Sequence, residues 1–282
     1  MNHSLTALAR AVLPRRARNA LRAPGRSLAW MVNELRPPIA LAVRPDFTLR
    51  CPRNAAQYAF HLQTVDPEQA VEFDDFRRVL RRLPHVALVD IGCHFGIFCF
   101  AAAHDAGPAA RTLAVDPSRE AAQMVGRIAE LNGWASQVAF VRAAAGDRDG
   151  ELELVETGAT GAGYLVQPHG HPPSERTRVP LLALDTLAAR LGEAPTVVKI
   201  DVESFELEVL RGGPKVLAGA RPVLFIELHN AMMRERGVDP AAVLDQLAAY
   251  GYGQLHIGGE TVSRDALLGR DIVRVYGGPG GP

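Results

Sequence analysis

This sequence predicts an α/β fold on a doubly wound parallel sheet, and three observations carry that reading. The stretch 86–100, VALVDIGCHFGIFCF, is a near-continuous apolar run that meets an acid at Asp90, turns on Gly92 and Gly96, and resumes as a second apolar run. A buried parallel strand followed by a tight turn and a helix reads this way. The same strand-then-helix rhythm repeats toward the C-terminus, which implies right-handed crossovers. Finally, Asp90, Asp116, Asp201 and Glu227 each stand at the end of an apolar run. Parallel strands bring their carboxyl ends to one sheet edge, where ligands bind in open α/β sheets.

Residues 1–45 form a basic arm with eight arginines and one acid, Glu34. LTALARAVL suits a short helix, but Pro14, Pro24, Pro37 and Pro38 interrupt the rest of the arm. A partly disordered, solvated leader is the favoured reading; peripheral contact with an anionic membrane is the sharper alternative. Residues 46–85 are a helical approach segment. Its strand is 47–50, and a helix runs from an Asp66 cap and Pro67 to Leu83, with Val71, Phe73, Phe76, Val79 and Leu80 on its apolar face.

The main domain is expected over 86–276. Strands are predicted at 86–91, 112–115, 138–142, 151–155, 179–184, 196–200, 223–226, 254–257 and 272–276. Helices are predicted at 96–104, 117–133, after an Asp185-Thr186 cap, at 205–210 and at 240–250. Residues 157–176 read as a long Gly-, Pro- and His-rich loop. Residues 277–282 read as a disordered tail.

The 282 residues are 48% hydrophobic with zero formal net charge, so wholesale disorder is excluded and a nucleic-acid binder disfavoured. Outside the arm stand 23 basic and 30 acidic residues, a net of −7. Three cysteines, Cys51, Cys93 and Cys99, fit neither a zinc site nor a disulfide framework. With no membrane span and no signal peptide, the expectation is a cytoplasmic protein. Arginine is used almost throughout; the only lysines are Lys199 and Lys215.

The glycines after the first strand allow a ligand close to the backbone, and Asp116 is placed to accept from ribose hydroxyls. The spacing is Gly-x-x-x-Gly, not the dinucleotide fingerprint, and no Walker-type loop is present there. Alone, the turn indicates a nucleotide-like cofactor and no more.

Val89-Asp90-Ile91-Gly92-Cys93-His94-Phe95-Gly96 resembles the first motif of class I S-adenosylmethionine-dependent methyltransferases. The stretch from Val198 to Gly213, VKIDVESFELEVLRGG, resembles the more specific signature of the FkbM family. Leu184-Asp185-Thr186-Leu187, Phe225-Ile226-Glu227-Leu228-His229 and Ala144-Ala145-Gly146-Asp147 match that family's pattern in order and spacing, over about residues 86–230. The resemblance implies a Rossmann-like, mostly parallel seven-stranded sheet with a final antiparallel strand and helices on both faces. It implies S-adenosyl-L-methionine as cofactor and O-methylation of a glycan or small secondary metabolite. Asp90, Gly92, Cys93, His94 and Gly96 would then lie around the methionine part, Asp116 at the ribose and Asp147 near the adenine. Two departures stand out. The family's first motif has Ala-Asn where this chain has Cys93-His94, and its central signature has Gly where this chain has Ser204. The second is harmless in a helix and unfavourable where φ is positive.

Oxygen methylation needs the acceptor positioned and its proton removed. Asp201 is the first candidate base, with a helix-capping role as its even rival, and Glu203, Glu206, Glu227 and His229 support it. Glu206 reads as a structural acid on a helix surface. Strand alternation puts Lys199 on the same side as Asp201, and a lysine inside the signature of an arginine-rich chain points to a compact ammonium, with chance or a plain partner for a nearby acid as the alternative. His94 reads equally as a ligand contact or a packing residue. His169 and His171 read as solvated loop residues, and Cys93 and Cys99 as buried small hydrophobes. A metal site from Asp201, Glu203, Glu227 and His229 ranks below a metal-free mechanism. The rival functions are a non-catalytic binding module on the same fold and an NAD-dependent oxidoreductase.

Overall fold

The computed structural model describes residues 32–33, 35–56, 67–157, 163–166 and 176–278. The proposed arm helix, the Asp66 cap, His169, His171 and the last four residues lie outside these.

Strands β1 (Ile39–Arg44) and β2 (Phe47–Cys51) form an antiparallel hairpin. The basic arm therefore ends earlier than its charge pattern indicated. Residues 39–44 come after Pro37 and Pro38, and their apolar content pairs them with β2 instead of leaving them solvated. Phe47, Leu49 and Cys51 of β2 are buried in the same cluster as the first helices of the main domain. Helix α1 (Pro67–Leu80) buries Phe73 and Phe76 in that cluster. Arg77 of α1 ties hairpin and domain together: its guanidinium donates to Asp46 (2.8 Å) and Asp105 (2.7 Å) and covers the Phe47 ring.

The main sheet grows from β3 (Ala87–Ile91), β4 (Arg111–Val115), β5 (Val138–Val141), β10 (Val197–Ile200) and β11 (Val223–Leu228), all parallel. Three antiparallel members complete it: β14 (Val273–Gly277) pairs with β11, and β12 (His256–Ile257) and β13 (Glu260–Thr261) add a short ribbon. The order is β13-β12-β14-β11-β10-β3-β4-β5, eight strands where seven were expected. Two-residue ribbon strands carry almost no periodic signal.

Helices α2 (Ile97–Asp105) and α3 (Arg119–Asn132) join α1 on one face. Helices α4 (Leu184–Leu191), α5 (Glu206–Arg211) and α7 (Ala241–Ala249) cover the other. Ser118 caps α3, accepting from the Glu120 and Ala121 amides. Asp185 does not cap its own helix. Its carboxylate instead accepts from the amides of Lys215 and Val216, at the start of a π-helical turn, Lys215–Ala220.

A second, four-stranded sheet holds β6 (Ala144–Gly146), β7 (Gly150–Thr157), β8 (Gly163–Val166) and β9 (Arg176–Ala183), in the order β6-β9-β7-β8. The expected long loop over 157–176 thus contains β8, paired with β7. Short helices α6 (Asn230–Glu235) and α8 (Arg264–Leu268) complete the fold. Among the described residues, no helix is long and apolar enough to cross a membrane. Cys51, Cys93 and Cys99 are all free and buried, and burial pushes the Cys51 thiol up to about 12.

Candidate active site

The carboxyl ends of β3, β4 and β10 open onto a cavity of about 550 Å³, a size suited to a cofactor-scale ligand. Its floor is the turn after β3. Gly92 has φ +77°, and a Cβ placed on it would stand 1.6 Å from the Asp201 carbonyl oxygen. Only glycine lets these two strand ends meet. The Gly92 and Cys93 amides both donate to the Val115 carbonyl, and the His94 amide donates to Asp116 Oδ2 at 3.0 Å. Asp116 Oδ1 accepts from the Ser118 amide at 2.8 Å. Asp116 therefore builds the turn and also lines the cavity.

Of the residues expected near a cofactor, Gly92, Cys93, His94, Asp116 and Asp147 line this cavity. Asp90 and Gly96 do not. Asp90 lies inside β3, 1% exposed, with Oδ2 accepting from Cys99 Sγ. Burial raises its carboxyl to about 6 against the opposing pull of Lys199. A Cβ on Gly96 would meet Val125 and Phe100, so that glycine faces the packing of α2 and α3.

Both departures from the family motif fall at left-handed positions. His94 has φ 48°, a region in which Asn and His are both enriched; its ring stacks on Phe95. Ser204 has φ 83° and comes directly after Glu203 at φ 51°. The Ser204 amide donates to Glu206 Oε1 at 3.1 Å, and Arg236 Nη1 donates to the Ser204 carbonyl. Arg236 in turn packs over the Phe205 ring and bonds Glu208 at 2.6 Å. The strain is held by hydrogen bonds at both peptide flanks.

Beside the glycine turn the acids gather around three cationic groups. Lys199 is 2% exposed, its Nζ 3.5 Å from Glu72 Oε1, 3.7 Å from Asp201 Oδ2 and 4.5 Å from the Phe98 ring centre. Burial opposes its charge, but Glu72, Asp201, Asp90 and Glu227 outweigh it and raise its pKa. Arg274 faces Glu227 across the β11–β14 register and grips both carboxylate oxygens, at 2.6 and 3.1 Å. His229 Nδ1 lies 2.7 Å from Glu206 Oε1. Its Nε2 looks toward Glu227 Oε1 (3.5 Å), Glu203 Oε2 (3.6 Å) and Asp201 Oδ1 (3.9 Å). Burial opposes the imidazolium, yet the Glu206 bond and the surrounding carboxylates hold it up to about 9. Burial, then the charges of Asp201 and Glu72, push Glu227 up to about 8. Burial likewise raises Glu203.

Asp201, Glu203, Glu227, His229 and Lys199 thus converge, and all five line the cavity. Asp116 serves the turn instead of joining this cluster. Asp201 does not cap α5, whose N-cap is Phe205. Glu206 is not a surface acid; it is fully buried and orients His229. Neither Glu72 nor Arg274 was anticipated from the sequence. Glu72 adjoins the apolar stripe of α1, and the only signal for Arg274 was its register with Glu227 in a late strand.

A family model described as the methyltransferase FkbM domain matches residues 90–253, more than half of the chain. The chain belongs to the FkbM methyltransferase family. Among solved structures, it is similar to an FkbM methyltransferase from Methylobacillus flagellatus, with 19% identity, 59% of this chain and 36% of that one covered, and a TM-score of 0.41. The chain thus spans about a third of that relative. It is also similar to a precorrin-6y C5,15-methyltransferase from Geobacter metallireducens, with 14% identity, 77% and 91% covered, and a TM-score of 0.41. A ribosomal protein L11 methylase from Lactobacillus delbrueckii gives 12% identity, 74% and 77% covered, and a TM-score of 0.38. No curated protein matches the chain. The FkbM domain's span includes the glycine turn, Asp116 and every acid of the cluster except Glu72; Glu72 and the cationic Arg274 lie outside it.

Proposed function

We propose that this FkbM-family chain transfers a methyl group from S-adenosylmethionine to a hydroxyl oxygen of a glycan or small secondary metabolite. One observation carries the reading. A single cavity is lined both by the glycine turn with Asp116 and by the adjoining Asp201–Glu203–Glu227–His229 cluster. The residues present suit the cofactor. Gly92 lets the ends of β3 and β10 close against each other beside the cavity, Asp116 offers carboxylate oxygens for ribose hydroxyls, and Ala145, Asp147 and Leu181 wall the part assigned to the adenine.

When bound, the cofactor supplies an electrophilic methyl group on sulfur. The protein's part is to orient the acceptor and receive its proton. That proton goes to a carboxylate after β10. Asp201 is the first candidate and Glu203, whose carboxyl is raised by burial, the second. His229, held up at about 9, is an imidazolium at neutral pH and so orients charge instead of taking a proton. Lys199 keeps one Asp201 oxygen facing inward and leaves the other toward the cavity.

The test is mass spectrometry of metabolite and glycan extracts incubated with the chain and S-adenosylmethionine. A product heavier by about 14 Da, one CH₂ gained, and resistant to hydrolysis as an ether supports the reading. Methylation found only on nitrogen or carbon overturns the O-methylation assignment.

A further inference from the structure

The geometry points to a divalent-cation site formed by Asp201, Glu227 and His229 in the acceptor part of the cavity. The inference rests on the methyltransferase reading for its location and adds a metal to it. Each of the three residues offers one donor atom, and these atoms lie within 4.8 Å of one another. Around a small divalent ion with bonds of about 2.1 Å, donor atoms stand roughly 3.0 to 4.2 Å apart. His229 Nε2 is 3.5 Å from Glu227 Oε1 and 3.9 Å from Asp201 Oδ1, inside that range.

The second observation is the imidazole itself. His229 is 3% exposed, and Nδ1 is taken by Glu206 at 2.7 Å. A carboxylate on one ring nitrogen orients the other for a metal, which on binding would displace the proton that Nε2 otherwise carries. Nε2 is aimed into three carboxylates, yet makes no hydrogen bond among the described residues. All three stand beyond the roughly 2.7–3.2 Å of such a bond. Direct pairing would have drawn one of them in, whereas the present spacing leaves room for an ion between.

The neighbouring cations do not fill that position. Lys199 approaches Asp201 through Oδ2, whereas Oδ1 is the oxygen that faces Nε2. Arg274 uses both Glu227 oxygens, and each retains a second lone pair. Two carboxylates and one imidazole suit manganese or magnesium better than a thiophilic ion. Asp201 then serves as ligand, and Glu203 is left to receive the acceptor's proton.

The test is titration of the chelator-treated full chain with Mn²⁺ at pH 8, followed by electron paramagnetic resonance. The expected result is one bound Mn²⁺ per chain, displaced by excess Mg²⁺, with a ¹⁴N coupling in the electron spin echo. Asp201→Asn should weaken it at least tenfold while S-adenosylhomocysteine still binds, which shows that the variant is folded. Absence of saturable Mn²⁺ binding, or binding untouched by Asp201→Asn and His229→Gln, overturns the site. Homocysteine-product binding without Mn²⁺ binding removes only the metal. Mn²⁺ binding without product binding removes the methyltransferase reading instead.

Discussion

Glu206 Oε1 lies 2.7 Å from His229 Nδ1, and both side chains are buried. The bond joins the start of α5 to the end of β11, so it fixes the imidazole and the Glu203–Ser204 turn together. It also makes stability pH-dependent. His229 rises from an ordinary 6.5 to about 9 in the folded chain. A raised cationic group stabilises fully below the unfolded value and loses that contribution as pH climbs through the folded one. Glu227, raised from 4.5 to about 8, acts in the same direction. Chelator-treated protein should therefore lose stability as pH rises, the Glu227 part between about 4.5 and 8 and the His229 part between 6.5 and 9, with His229 contributing about 3 kcal/mol. Urea unfolding across this range checks it; in Glu206→Gln the slope should flatten.

Ser204 occupies φ 83° without being glycine. A left-handed conformation costs an L-residue roughly 1–2 kcal/mol. Ser204→Gly is expected to stabilise the chain by about 1 kcal/mol, or some 2–4 °C in Tm for a domain of this size. Calorimetric melting reads this directly. A lower Tm would mean that the hydroxyl's contact with Arg236 outweighs the strain.

Gly92→Ala should do the opposite. Its Cβ would fall 1.6 Å from the Asp201 carbonyl oxygen, at φ +77°. Strand ends that are locked in a parallel ladder cannot yield that distance. A loss of more than about 2 kcal/mol is expected, measured by urea unfolding, together with loss of S-adenosylhomocysteine binding.

The hairpin is part of the domain's stability. Arg77 is buried between Asp105 (2.7 Å) and Asp46 (2.8 Å). Removing one partner from a buried ion pair costs about 3–5 kcal/mol, so Arg77→Ala should lower the unfolding free energy by that order. A change under about 1 kcal/mol, the ceiling for an exposed pair, would show that the hairpin is peripheral.

Lys199 is so enclosed by Glu72, Asp201 and Phe98 that an arginine would overpack the site. Lys199→Arg should therefore lose both activity and about 1–3 kcal/mol of stability, seen in turnover and Tm together. From the sequence alone, activity would be expected to fall while Tm stayed fixed. The packing around Nζ is what changes that expectation.

The parallel strands were legible because buried β3, β10 and β11 read as mostly apolar runs with an acid at or near their carboxyl ends. The glycine turn was legible for the same reason. What escaped depended on distance in sequence. Glu72 belongs to a helix that precedes the first motif, and Arg274 sits in a strand whose pairing with Glu227 is antiparallel and late. Neither carries a local signature. Glu206 was misplaced because a six-residue helix shows too little periodicity to tell its buried face from its exposed one. Strand β1 was hidden by charge: Arg36 and Arg44 flank an apolar run that reads as the end of a basic arm.

The most direct test of the central claim is calorimetric titration of the full chain with S-adenosylhomocysteine and, separately, with NAD. The account predicts saturable one-to-one binding of S-adenosylhomocysteine and no heat with NAD. Binding of NAD, or no binding of S-adenosylhomocysteine by protein that melts cooperatively, would contradict it.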